Sequence, residues 1–366
     1  MKKFCSFLLA LCMAFALVAC GNSGASSSTA SSTSSGSASG SSSASSSASG
    51  SYDISKATYV LKAGHVLSED HPYQKALQYM DDYLSKATKG DLRIQIYPNS
   101  QLGNERDLQE GCSMGTVDIG IGATATLSNF TTDFTLFDLP YLFADKDQAR
   151  TVLHSDWAKQ KLSELDSLNM VGLTFWEAGM FDVINNQRDV KSVSDFSGLT
   201  IRVMENDIFM ATMQALNINP VPMAWSEVFT SIQNGTVDGT SNPIATIYAA
   251  KIYTIAQHFT IANMIYSPIP VIMSKATYDK LPADYQKLMY EAAEEASTVE
   301  YGLIDDMEKT ALDTFSKEGC TVTYFTDDQI SECSKLMKDK VWPQFVGSKV
   351  SQSDIDSINQ IISQKS

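Results

Sequence analysis

Arg202 sits in a short predicted strand, Leu199 to Val203, between Ile201 and Val203. A guanidinium among apolar neighbours is costly to bury without a partner. Its planar fork matches a carboxylate through two hydrogen bonds, so one arginine can fix both the position and the direction of an acid ligand. An internal salt bridge or an outward-facing side chain accounts for it equally well. Asn242, which precedes Pro243, carries an amide that donates and accepts, suited to a hydroxyl or a carboxylate; its alternative is an Asx turn. Trp225 can pack on the carbon skeleton of a ligand or simply fill the core. Glu105 and Glu205 can accept ligand hydroxyls or stand as solvated surface carboxylates. His65 is a further candidate for the same pocket. The spacing of His65 and His71 spans a turn and brings no third ligand, so no metal site is expected. No GxSxG, HExxH, Walker or GxGxxG pattern occurs, so an enzyme has no nucleophile or base constellation to stand on and no cofactor is expected.

The elements around these residues read as two series of alternating strands and helices. In the first, a strand at Ala57–Gly64 leads to a helix from Pro72 with Tyr73, Leu77, Met80 and Leu84 at helical spacing, stopped by Lys89-Gly90. Leu92–Tyr97 alternates as a strand, a helix ends near Met114-Gly115, and Val117–Gly122 is a third strand. In the second, the Arg202 strand precedes a helix with Phe209, Met213 and Leu216. Asn217–Pro222 breaks that helix, and Pro222 fixes an extended approach. A helix over Ser226–Gln233 follows, with Ser226 as N-cap and Asn234-Gly235 as its stop. Gly-Thr-Val-Asp ends the second helix of each series, at 115–118 and 235–238. The echo reads as two α/β lobes of like construction, or as chance recurrence of a common turn. Two lobes place a ligand cleft between them. Trp176–Ile184, Tyr248–His258 and Ile261–Ser274 read as crossings between lobes, and a long helix is predicted from Ala283 to about Phe315. A short strand over Val322–Phe325 and a helical segment with Ile330, Met337 and Val341 close the chain.

The stretch from Gly198 to Pro243 resembles the DctP-type solute-binding proteins of TRAP (tripartite ATP-independent periplasmic) transporters. The family pattern runs roughly G-L-K-I-R-V-P-x-N, then P-T-P-M-A-F-S-E-V-Y-x-A-L-Q-x-G-x-V-D-G-Q-E-N-P. Arg202, Pro220, Pro222, Met223, Ala224, Ser226, Glu227, Val228, Gln233, Gly235, Val237, Asp238, Gly239, Asn242 and Pro243 stand in step with it. IYPNSQLG, G-x-V-D-I-G, FDLPYLF and the long helix after Leu281 extend the resemblance over Tyr59–Gln344. It implies a two-lobed binding-protein fold, with a long helix lying across both lobes and bending as the cleft closes. It implies that Arg202 holds the ligand carboxylate and Asn242 orients it, and that TRAP membrane subunits are the partners. Two departures matter. Where many members have W-x-N-G-x-R, this chain has Trp176 to Phe181, so Phe181 stands in place of a second arginine. Ser241 replaces a glutamate of the pattern. A pocket with less charge points to a monoacid with hydroxyls, such as a sugar acid, over a dicarboxylate.

The first 19 residues carry Lys2 and Lys3 and then an apolar run, and Leu17-Val18-Ala19-Cys20 reads as a lipobox. Cys20 is therefore expected to be the lipidated N-terminus of an extracytoplasmic protein; a transmembrane anchor is the alternative, for which the run is short. Residues 20–51 form an uncharged Ser/Gly/Ala tether, reaching about 30 Å by random-coil scaling. Lobe I is expected over 52–178, with 267–307 returning to it, and lobe II over 179–266, with 308–366 returning. Losing Lys2 and Lys3 takes the formal charge from −15 to −17, which argues against nucleic acid as a partner. Cys112, Cys320 and Cys333 are expected as buried free thiols, with a Cys320–Cys333 bridge conceivable. The whole reads as a lipid-anchored receptor for an organic acid, not an enzyme. A receptor of the same build serving a sensor or chemoreceptor, and an extracellular hydrolase on acidic sugars, are the rival readings.

Overall fold

Two βαβαβ modules of the same build form the two ends of one sheet in the computed structural model, which describes residues 53–365. Cys20, the targeting segment and the tether expected over 20–51 lie outside the described residues. In the first module β1 (Tyr59–Gly64) leads through the helix Pro72–Ala87 to β2 (Leu92–Tyr97), and through the helix Glu105–Met114 to β3 (Ile119–Ile121). β1 lies parallel to both β2 and β3. A long strand, β4 (Met170–Asn185), comes before the second module. There β5 (Thr200–Val203), the helix Asp207–Ala215, β6 (Asn219–Pro222), the helix Val228–Gln233 and β7 (Gly239–Pro243) repeat the pattern. β5 takes the central place, parallel to β6 and β7.

The Gly-Thr-Val-Asp echo is a structural repeat. The Asp118 N–H donates to the Lys62 carbonyl at 3.1 Å, and its Oδ2 accepts the Lys62 N–H at 2.8 Å. Asp238 does the same with Thr200, at 2.7 Å in each direction. In both modules one aspartate thus clamps the last strand to the first. Gly115 (φ 79°) and Gly235 (φ 73°) leave the preceding helices in the left-handed conformation that costs glycine least.

β4 and β8 (His258–Ser274) run antiparallel along nearly their full length and join the modules. β8 pairs with β3 through Val271–Met273, and its start carries β9 (Thr321–Tyr324). β4 pairs with β7 through Phe181–Asn185. Every residue of β4 is buried, as expected of a strand covered on both faces. The β4–β8 register slips between Glu177 and Gly179, where Gly179 has φ 104°. An irregularity of this kind bends a ladder locally, and here it falls where the ladder passes between modules. The helix Ala283–Lys317 packs against the helix Pro72–Ala87 of the first module and the helix Ile244–Ala249 of the second. It buries Met289 and Ala292 early and Ala311 and Phe315 late.

The sequence reading needs three corrections. Asn219–Pro222 is not merely a break: it is β6, an edge strand, where a proline lacks only an N–H that an edge does not require. Ser226 caps nothing. A 3-10 turn over Trp225–Glu227 precedes the helix, and the Ser226 hydroxyl instead donates to Asn104 Oδ1 at 3.1 Å. The C-terminal helix Gln352–Lys365, which buries Ile355 and Ile358, had no reading, because its exposed positions are mostly Ser, Gln and Asp. Cys112 and Cys333 are buried, Cys320 is part-buried, and all three are free, so Cys320 and Cys333 do not form a bridge.

Candidate functional site

Arg202 lies on the central strand of the second module and is only 3% exposed. Its Nε and Nη2 donate to the Met223 carbonyl at 3.0 and 2.8 Å, and its Nη1 donates to Asn242 Oδ1 at 3.2 Å. Three of the five guanidinium N–H groups are thus used. One remains on each terminal nitrogen without a partner among the described residues, the number a bidentate carboxylate takes. No carboxylate among the described residues forms a salt bridge with it. Burial pushes its pKa down to about 10, against the weaker pull of Glu105 and Glu205. The Trp225 ring lies 5.7 Å from Cζ, within cation–π range.

Asn242 sits on β7 beside β4 and is 5% exposed. Its Oδ1 accepts from Arg202 and, at 2.7 Å, from the Thr240 hydroxyl. The acceptor is consumed within the protein, and the amide nitrogen keeps its two donors without a partner among the described residues. Both residues therefore offer donors to the same space, which favours an anion. Glu105 opens the helix Glu105–Met114 in the first module, and its Oε1 accepts the Ala123 N–H at 3.3 Å. Desolvation of its carboxyl raises its pKa to about 7, opposed by the Ala123 hydrogen bond and the Arg202 charge. Phe181 is 2% exposed, with its ring edge-on to Phe209 at 4.9 Å.

Glu105, Phe181, Arg202, Trp225 and Asn242 line one cavity of about 30 Å³ between the modules. That is room for about one water, so admitting an organic acid requires its walls to part. Glu205 and His65 do not line it. β5 ends at Val203, and the turn that follows puts Met204 on the cavity and leaves the Glu205 side chain exposed. Glu205 reaches Arg202 only through its field. His65 is fully buried behind Tyr73, which lines the cavity, and its Nε2 bonds Gln74 Oε1 at 3.0 Å. Burial lowers its pKa, which keeps it neutral. His71 caps the helix that follows it, Nδ1 accepting the Tyr73 N–H at 3.3 Å. Among the described residues no group of three His, Cys, Asp or Glu could hold a metal ion. Thr246 and Ser267 line the cavity unforeseen. Thr246 lies in the first turn of the helix Ile244–Ala249 that follows β7, and Ser267 is placed by the pairing of β8 with Gly179.

A larger cavity of about 850 Å³ opens between the start of β4 and the long helix. Its His154 pairs with Glu294, and its Lys275 with Asp166 and Asp279. It holds no buried charge comparable to Arg202.

The sequence profile of bacterial extracellular solute-binding protein family 7 (DctP) matches residues 63–347, which takes in both modules, the crossing strands and the long helix. The chain belongs to this family. The solute-binding protein is 32% identical over 263 residues to the C4-dicarboxylate-binding periplasmic protein DctP of Rhodobacter capsulatus, covering 72% of this chain and 79% of that one. Its fold matches the sugar acid binding protein DctPAm of Advenella mimigardefordensis in complex with galactonate. There the TM-score is 0.80 at 25% identity, over 84% of this chain and 98% of the other. A TRAP periplasmic solute-binding protein of Polaromonas sp. JS666, bound to D-erythronate, gives a TM-score of 0.77 at 30% identity, covering 83% and 98%. These are TRAP-type, two-lobed extracytoplasmic receptors, and the family is not enzymatic.

Proposed function

We propose that this solute-binding protein captures an organic acid anion in the cleft between its modules and delivers it to the membrane subunits of a TRAP transporter. Arg202 anchors the carboxylate, Asn242 orients it, and Trp225 packs against its body. The observation that carries this reading is the buried Arg202, with a free N–H on each terminal nitrogen and no ion pair among the described residues. A buried cation without a counter-charge is unfavourable until an anion arrives. Phe181 occupies the wall where a second cation would stand, so a second carboxylate would go unpaired; a monoacid bearing hydroxyls fits better. Galactonate and erythronate, bound by the two similar proteins of known structure, are such acids. Closure follows from contacts that only the closed cleft makes. The Ser226–Asn104 bond and the Asn206 amide, which donates to Asp138 Oδ2 at 2.9 Å, already span the modules. Cys20 is the lipid-bearing residue of this reading, and the Ser/Gly/Ala tether keeps the body near the membrane.

Thermal unfolding of the body (residues 52–366) against a panel of aldonates, uronates, keto acids and dicarboxylates tests it. Ligand at 100 times its dissociation constant adds about 2.7 kcal/mol, a readable rise in Tm. A rise with one class of acid supports the reading; a folded protein that no acid stabilises refutes it.

A further inference from the structure

Asn206 makes two sets of hydrogen bonds where its position in the chain requires one. As N-cap of the helix Asp207–Ala215 it uses Oδ1, which accepts the Ile208 and Phe209 N–H groups at 2.8 and 3.2 Å. Serine, threonine or aspartate caps a helix with an oxygen alone. The amide adds donors, and these leave the second module. Nδ2 donates to the Ala125 carbonyl at 3.0 Å, the Ser128 hydroxyl at 2.8 Å and Asp138 Oδ2 at 2.9 Å, all in the segment that follows β3. Asp138 is buried, and its Oδ1 accepts the Thr124 hydroxyl at 3.0 Å.

This contact borders the cavity. Ala123 and Met204 line it from the two modules, and Ala125 and Asn206 each follow by two residues. On the outer side the Asn129 amide donates to the Glu205 carbonyl at 3.2 Å in an exposed bond. Walls that part between Ala123 and Met204 must therefore pull on the Asn206 bonds. Asn206 also follows Arg202 by four residues, so the anion's anchor and this contact share one strand end and turn. Burial raises the Asp138 pKa to about 7, opposed by the hydrogen bonds from Thr124 and Asn206. A carboxyl that loses water on closure regains it on opening, which keeps such a contact reversible.

We propose that Asn206 is a latch: a positioning residue that touches no ligand and holds the cleft shut through Ala125, Ser128 and Asp138 of the opposite module. The proposal rests on the receptor reading above for the purpose of closure, not on which acid binds. Losing the latch leaves the anchor and the pocket in place and makes opening more frequent, so a bound anion escapes faster.

Thiol trapping without any acid tests this. Ser267 lines the cavity, and Ser267→Cys puts a near-isosteric reporter thiol there. The reporter is made in residues 52–366, within the compact unit Ser51–Ser366. Cys320→Ser removes the part-buried thiol, and the buried Cys112 and Cys333 remain as internal controls. An aromatic disulfide reagent reacts with a thiolate it can reach, so the rate at the reporter follows the open fraction. Asn206→Ser, which keeps a capping oxygen, should raise that rate at least fivefold while Cys112 and Cys333 stay protected. Asp138→Ala should raise it in part, and the two together should exceed Asn206→Ser by less than twofold, because they break the same contact. A smaller rise in Asn206→Ser overturns the proposal. So does a reporter that reacts as fast as the urea-unfolded chain before Asn206 is changed, or a rise shared by Cys112 and Cys333, which would mean a lost cap and general loosening. Each of these outcomes leaves the acid receptor standing, since no acid is present; the panel of acids decides that reading separately.

Discussion

The same substitution should destabilise the protein far more at the part-buried Arg150 than at the buried Arg202. Arg150 forks onto Glu177, at 3.0 Å through Nε and 2.5 Å through Nη2, and also bonds Asp305 at 3.0 and 2.9 Å. Burial opposes its charge, but hydrogen bonds and the charges of Glu177 and Asp305 outweigh that and hold its pKa above the ordinary value. Glu177 is fully buried at the crossing between modules, and its other side-chain partner is the Tyr266 hydroxyl at 2.7 Å. Arg150→Met strands that carboxylate and should cost about 3–5 kcal/mol. Arg202 has no such partner. Burial lowers its pKa from 12.5 to about 10, and at about 1.36 kcal/mol per pH unit its charge costs the folded state about 3 kcal/mol at neutral pH. Both values lie far above pH 7, so this penalty is present in full there. Arg202→Met relieves it. Against that, the Met223 carbonyl loses its donors, about 1–3 kcal/mol, and the Trp225 contact goes, about 0.5–1 kcal/mol. Asn242 Oδ1 keeps the Thr240 hydroxyl. The ligand-free stability of Arg202→Met should therefore stay within about 1.5 kcal/mol of wild type. Urea unfolding of the body at pH 7.5, followed by tryptophan fluorescence, measures both variants. A loss above 3 kcal/mol in Arg202→Met would mean a structural ion pair and refute the unpaired-anchor reasoning.

Asp182 should make the ligand-free protein less stable as pH rises. Its Oδ1 accepts the Ala262 and Asn263 N–H groups at 2.7 and 2.8 Å, its Oδ2 is buried without a partner, and burial pushes its pKa from 3.8 to about 7. The folded state holds this proton longer than the unfolded chain, so its contribution is complete below about pH 4 and is lost as pH climbs to about 7. Asp182→Asn should remove about 3 kcal/mol of the decline between pH 5 and 7.5; parallel stability–pH curves for variant and wild type would count against this. Asp138 and Glu105, also raised to about 7 by desolvation, leave a residual slope in the variant. Gly239→Ala should abolish folding or cost several kcal/mol, because its Cβ would lie 1.9 Å from the Ile184 carbonyl oxygen. Gly302→Ala, inside the long helix with nothing within 4 Å of a built Cβ, should stabilise by up to about 1 kcal/mol. The difference in urea midpoint between these two variants checks both.

Regular elements were legible in the sequence, because alternation and glycine stops leave local marks. Leu92–Tyr97 is β2 without adjustment, and the two Gly-Thr-Val-Asp turns proved to be matching clamps. Arg202 and Asn242, both singled out in the sequence, are hydrogen-bonded to each other and line one cavity. Relations set by tertiary packing were not legible. Proline hid β6, since a strand at a sheet edge gives up no essential hydrogen bond to it. Glu205 and Met204 are adjacent, and only the turn after β5 decides which one faces the cavity. His65 carries polar atoms that suggest a ligand, but it supports Tyr73 from behind. The Arg150–Glu177–Asp305 network brings together three distant parts of the chain with no motif to announce it.

The central claim is that Arg202 holds the anion. Titration calorimetry of wild type and Arg202→Met, with whichever acid gives the largest rise in Tm, tests it most directly. Loss of a bidentate, charge-assisted contact predicts at least a 100-fold weaker Kd in a variant that still folds with near-wild-type stability. A variant that binds the acid within threefold of wild type would contradict the account.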